Sequence, residues 1–190
     1  NNFDIRSVTS VLKSGSLTQG NYISETEKKI ANYVGCKYAV LVSSATAGLH
    51  ITYKALNLSK KNSLITSPIT FVSTANAAFY CNSKVLFSDI NEDTISLSTS
   101  ILKKRLVQNK NNVKIISPVH MGGLAANMKE INKIAKVHKI KVVEDAAHAI
   151  GALYECGSKV GSCKYSDATV FSFHPVKTIT TAEGGAITTN

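Results

Sequence analysis

Nothing in this sequence is apolar for long enough to cross a bilayer. A spanning helix takes about 20 consecutive apolar residues, and every apolar run here is broken well before that. The polar opening NNFDIRSVTS has no basic stretch and no apolar centre, so it does not read as a signal peptide. A cytoplasmic protein with no membrane partner is expected. Cysteine is sparse. Cys36, Cys81, Cys156 and Cys163 form no C-x-x-C pair, and none stands at metal-ligand spacing from a histidine. The pattern argues against a zinc site or a disulfide framework and for reduced, partly buried thiols. Acidic residues are few, 12 against 22 lysines and arginines, for a formal net charge of +10. Such an excess raises nucleic acid as a partner. The lysines are scattered through helix-like stretches such as ILKKRLVQNK and INKIAKVHK, alternating with apolar positions that would face a core. Solvated helix faces account for them, and no nucleic-acid partner is expected. There is no G-x-G-x-x-G and no Walker lysine, which argues against a dinucleotide or a P-loop. Repeats, linkers and low-complexity stretches are missing too.

What is present is a globular composition, 44% apolar and 18% charged over 190 residues, enough for one domain with a real core. Strand-like and helix-like segments alternate. SETEKKIANYVG reads as a helix with a capping box at Ser24 and Glu27 and a stop at Gly35. KYAVLVSS, SLITSPITF, KVLFSDI, VKIISPVH, IKVVEDAAH, DATVFSFH and GGAITTN read as strands. TAGLHITYKAL, STANAAFYCN, SILKKRLVQNK and NMKEINKIAKVHK read as helices, the last with Asn127 and Glu130 placed as a capping box. Val/Ile-rich strands between amphipathic helices predict an α/β domain with a mostly parallel mixed sheet. The final strand ends at Asn190 with no covering helix, so a domain truncated at both ends is expected.

In such sheets ligands bind beyond the carboxyl ends of the strands. Four places qualify. After KYAVLV comes Ser43-Ser44-Ala45-Thr46-Ala47-Gly48, a run of small residues entering a helix, which is either an anion site or a plain N-cap. After IKVV comes Glu144-Asp145-Ala146-Ala147-His148, where Asp145 could hold a cationic ring nitrogen or could cap a turn. Lys177 follows an aromatic strand, FSFHPVK. It is either a desolvated amine able to form an imine or an exposed loop lysine. Phe71, in SPITFV, either stacks on a flat cofactor or fills the core. Taken together, these residues supply what pyridoxal phosphate (PLP) needs for its phosphate, its ring face, its pyridinium nitrogen and its aldehyde carbon.

The sequence at this point resembles the DegT-type nucleotide-sugar aminotransferases, of the aspartate-aminotransferase fold. The matching segments, in family order, are GSLTQG (15–20), SSATAGLH (43–50), SPITFVSTANA (67–77), EDAAHAIGA (144–152) and FSFHPVKTITTAEGGAITTN (171–190). The resemblance implies a PLP-binding large domain over residues 1–190, with a C-terminal small domain absent. It implies Lys177 as the catalytic, imine-forming lysine, and Thr46, Ala47 and Ser172 at the cofactor phosphate. Phe71 would lie against the ring, Asp145 on the pyridine nitrogen and His148 near the phenolic oxygen. Gly15, Ser16, Leu17, Thr18 and Ser44 would line the sugar side. The His-x-x-Lys loop is similar to that of UDP-sugar 4-aminotransferases, of the pseudaminic acid type. The implied substrates are a UDP-4-keto-6-deoxy sugar and glutamate, in a homodimer when full length, with no metal. A UDP-4-keto-arabinose aminotransferase of lipid A modification and an inactive PLP- or partner-binding fragment are the alternatives.

Overall fold

The computed structural model describes residues 1–108 and 112–190. Two helices come first, α1 (Asn2–Lys13) and α2 (Asn21–Val34). Then follow β1 (Tyr38–Val42), α3 (Ala45–Ala55), β2 (Ser63–Thr66), α4 (Ser73–Tyr80), β3 (Lys84–Phe87), α5 (Thr99–Gln108), β4 (Val113–Ser117), a 3-10 turn (Met121–Gly123), α6 (Met128–His138), β5 (Lys141–Asp145), β6 (Ala168–Ser172) and β7 (Gly185–Thr189). The expected helix SILKKRLVQNK is seen as far as Gln108, and its last two positions, Asn109 and Lys110, lie outside the described residues.

The strands form one sheet in the order β1-β7-β6-β5-β4-β2-β3. All but β7 run parallel, and β7 is antiparallel to both β1 and β6. This matches the expected mostly parallel, mixed α/β sheet. Alternation explains why the strands read as continuous apolar runs, since successive side chains point to opposite faces and both faces are covered. Ile65, Ile116, Val142, Phe171 and Ala186 pack on one side with Leu102, Leu106, Ile131 and Ile134. Their immediate neighbours Leu64, Ile115, Val143, Val170 and Ile187 pack on the other with Leu49, Tyr53, Ala77 and Ala78. Gly48 lets α3 lie close to the sheet. A Cβ there would stand 2.9 Å from Val170 Cγ1 and 3.3 Å from Val42 Cγ2.

Three local readings need correction. The helix at SETEKKIANYVG starts earlier, at Asn21, with Gly20 as an N-cap that makes no side-chain bond. Ser24 donates to Asn21 O and Glu27 Oε1 accepts from Leu41 N, so these two residues are not a capping box; Glu27 ties α2 to β1 instead. Helix α1 has no counterpart among the predicted elements. Its Ser, Thr and Val content is poor helix material; Asn1 and Asp4 cap it reciprocally and it buries no residue. At Asn127 the cap is present, with the side chain accepting from Glu130 N, while the Glu130 carboxylate pairs with Lys103. Gly35 ends α2 in the left-handed region, as expected. Among the described residues no helix is long and apolar enough to cross a membrane.

Candidate active site

The chain leaves β6 at Ser172 and re-enters the sheet at Gly185, and these two residues are paired in register. The loop between them carries Lys177. Phe173 anchors it, its N–H donating to Gly184 O and its carbonyl accepting from Thr181 N and Thr180 Oγ1. Lys177 N donates to His174 O, 2.9 Å away. Gly185 also pairs with Val42 at the end of β1, just before the α3 N-terminus. The approach is close: a Cβ at Gly185 would lie 2.7 Å from Phe171 O and 2.8 Å from Ala45 N. Backbone atoms cannot swing aside. Gly185→Ala should therefore lower stability by about 1–3 kcal/mol, read as an earlier denaturant midpoint. An unchanged midpoint would refute the close packing of these three segments.

These segments enclose a cavity of about 390 Å³ at the carboxyl edge of the parallel strands, with Ser44, Thr46, Phe71, Asp145, Ser172 and Lys177 among its lining residues. On one wall Thr46 Oγ1 and Ser73 Oγ are 2.7 Å apart. Ser44 caps α3 by accepting from Ala47 N, and the first N–H groups of a helix lack intrahelical acceptors. A phosphate suits this corner, where hydroxyls and a helix N-terminus meet. Asp145, at the end of β5, is buried; its Oδ2 accepts from Thr74 Oγ1 at 2.5 Å and its Oδ1 from Ala147 N at 3.2 Å. Lys177 Nζ lies 2.8 Å from His148 Nε2. Burial first, then the Lys177 charge, holds His148 below its usual range, partly countered by Asp145. His148 Nε2 is therefore the acceptor and Lys177 Nζ the donor.

Most of the residues singled out in the sequence thus meet at one place. Ala47 and His148 do not line the cavity but bond to residues that do, Ser44 and Lys177. Phe71 lines it while staying 68% exposed. Gly15, Ser16, Leu17 and Thr18 lie apart, on an exposed stretch between α1 and α2, and none of them lines the cavity. Sequence reasoning missed Ser73 and Thr74. Their only signal was their position, small hydroxyl residues opening a helix just after Phe71. It also missed His174 and Glu183, which face each other on the rim at 4.0 Å. The cysteines are free, and Cys156 is exposed rather than partly buried. Among the described residues no group of His, Cys, Asp and Glu is placed to hold a metal.

Residues 1–190 match the model of the DegT/DnrJ/EryC1/StrS aminotransferase family. The chain belongs to this family. It is similar, at 43% identity over 98% of its length and 48% of the relative's, to the UDP-4-amino-4,6-dideoxy-N-acetyl-beta-L-altrosamine transaminase of Campylobacter jejuni subsp. jejuni. Its structure is similar to that of Helicobacter pylori PseC, an aminotransferase involved in the biosynthesis of pseudoaminic acid (TM-score 0.89, 35% identity, 98% of this chain and 49% of that one). It is also similar to NtdA from Bacillus subtilis with bound cofactor PMP (TM-score 0.88, 31% identity, 97% and 40%). The chain spans about half the length of the curated relatives it matches.

Proposed function

We propose that this chain carries the catalytic lysine of a cytoplasmic, PLP-dependent transaminase that aminates a UDP-4-keto-6-deoxy sugar with glutamate as donor, as a homodimer when full length. The observation that carries the reading is the convergence of an amine, a buried carboxylate and a hydroxyl corner on one cavity. The substrate class rests on the transaminase from Campylobacter jejuni at 43% identity. The cofactor rests on the PMP-bound neighbour, PMP being the amine form of PLP, and on the fit of the residues.

That fit is chemical. Thr46, Ser73 and Ser172 would receive the phosphate, with the N–H groups that open α3. Asp145 would hold the ring nitrogen through a charge-assisted hydrogen bond, and Phe71 would cover one ring face. When bound, PLP supplies an aldehyde that captures amines and a ring that accepts the electron pair left by proton loss. Lys177 Nζ must shed a proton before it can act as nucleophile or base. His148 Nε2, unprotonated and 2.8 Å away, is placed to take it. Once displaced by the donor amine, Lys177 would carry the proton from one carbon to the other as general base and then general acid.

The test is chemical trapping. The full chain is incubated with PLP, reduced with borohydride, digested and mapped. The cofactor should be fixed on the peptide containing Lys177. Fixation on another lysine would overturn the assignment.

A further inference from the structure

Asp145 is held at more points than its place in the strand requires. Its main chain is fixed by the end of β4, with Asp145 N donating to Pro118 O at 2.9 Å and Asp145 O accepting from His120 N at 3.0 Å. Its side chain is fixed by a different element. Thr74, in the first turn of α4, is fully buried and 71 residues away in sequence, and its Oγ1 is 2.5 Å from Asp145 Oδ2. A threonine in a helix can satisfy its hydroxyl on a carbonyl of the preceding turn. That option exists here, since Phe71 O lies 3.3 Å from Thr74 Oγ1, but the carboxylate is nearer. A second hydroxyl, Thr70 Oγ1, stands 2.7 Å from Thr74 Oγ1. An ionised carboxylate only accepts, and a hydroxyl has one proton to give. With its own proton given to Asp145, Thr74 can only accept from Thr70, whose single proton is shared between Thr74 Oγ1 and Phe71 O, 3.1 Å away. Hydrogen bonds in such a chain polarise one another and strengthen the last.

We infer that Thr74, backed by Thr70, is a positioning residue that fixes the plane of the Asp145 carboxylate before any ligand arrives. Thr74 engages Oδ2 and Ala147 N engages Oδ1, so the group cannot rotate, and its remaining acceptor sites are those left for the cavity it lines. Rotation of an unheld carboxylate about its Cβ–Cγ bond would cost the bond to a ring nitrogen its alignment, and orientation at this level decides the strength of a site. Neither threonine would need to touch the cofactor. The inference rests on the PLP reading above, and goes beyond it by assigning residues that act only through Asp145.

The test compares PLP with its 1-deaza analogue, in which the ring nitrogen is replaced by C–H and offers Asp145 nothing to hold. Binding of each by the full chain is titrated by absorbance for wild type, Thr74→Val, Thr74→Ser and Thr70→Val. Thr74→Val should weaken PLP about tenfold, the loss expected for one hydrogen bond to a charged group. It should leave the deaza analogue within about twofold of wild type, and Thr74→Ser should restore PLP binding, because the hydroxyl returns. Thr70→Val, at a half-buried position, should weaken PLP by about threefold and the analogue not at all; it carries the test if Thr74→Val fails to fold. Equal weakening of both ligands would mean that Thr74 only packs, and no weakening would mean that it does nothing; either overturns the inference. A wild type that binds both ligands equally, with Lys177 still trapped by borohydride, overturns the role of Asp145 and this inference while leaving the lysine assignment standing. A wild type that binds neither overturns the functional reading and this inference with it.

Discussion

Lys177→Arg should abolish amine transfer in the full chain and leave the fold unchanged. Arginine keeps the positive charge and the length of the side chain. Its guanidinium, however, does not deprotonate in proteins, so it can act neither as nucleophile nor as base. A positioned acid or base contributes about 10²–10⁴-fold on its own, and loss of covalent attachment adds to that. The rate should fall by about 10³-fold or more. Stability should change little, within about 0.5 kcal/mol, because Lys177 is only half-buried and lies between exposed neighbours. Rate and denaturant midpoint must be measured together. A variant that keeps a tenth of the wild-type rate would sink the assignment. A variant that loses rate and stability together would mean that the loop, not the amine, had failed. His148 sharpens the comparison. It accepts from Lys177 at 2.8 Å and can take a proton only while its own ring is neutral, so His148→Phe should slow cofactor capture near neutral pH and lose that effect in acid, where the wild-type imidazole is itself protonated.

How legible all this was depends on range. The strands were legible because each is apolar on both faces; Leu64 and Ile65, or Ile115 and Ile116, face opposite layers of the core. The direction of β7 was not legible, because its apolar run reads the same in either orientation and only the pairing with β1 and β6 decides it. Helix α1 escaped because its Ser, Thr and Val content disfavours a helix and it buries no residue. In the site, Thr46, Asp145 and Lys177 could be found because each lies at or within a few residues of the carboxyl end of a strand. Their supports could not. Thr74 reaches Asp145 across 71 positions, and nothing local marks the bond. The adjacent carboxylates Glu144 and Asp145 show both cases. Period-two alternation sends them to opposite faces, so only one could enter the cavity, but the residues that receive the other come from distant segments.

That other carboxylate carries the largest expected stability effect. Glu144 is fully buried and accepts from four side chains: His120 Nε2 at 2.7 Å, Tyr154 OH at 2.8 Å, Thr169 Oγ1 at 3.0 Å and Ser166 Oγ at 2.5 Å. The tautomer of His120 follows from its surroundings. Its Nδ1 accepts from Ala126 N at 3.0 Å, so the proton is on Nε2 and points at Glu144. Burial alone would push the Glu144 carboxyl up, but the His120 hydrogen bond, with those of Ser166 and Tyr154, outweighs it and holds it below its usual value of 4.5. Glu144→Ala would take their shared acceptor from three buried donors, His120, Tyr154 and Thr169, and from the half-buried Ser166. Removing one member of a buried charged network costs about 3–5 kcal/mol, against a total of about 5–15 kcal/mol for a domain. The variant should melt far below wild type, and loss of less than about 1 kcal/mol would contradict the network. The sign of the pH dependence follows as well. A carboxyl lowered in the folded state stabilises above its unfolded pKa, and that contribution drains away as pH falls through the folded value. Wild type should therefore lose stability steadily below about pH 4.5. Glu144→Gln, which cannot titrate, should start less stable and show a shallower acid slope. Equal slopes would place the acid sensitivity elsewhere. Because Asp145 follows Glu144 directly and His120 N holds its carbonyl, the same acid step that loosens the network would loosen the strand end that presents Asp145 to the cavity.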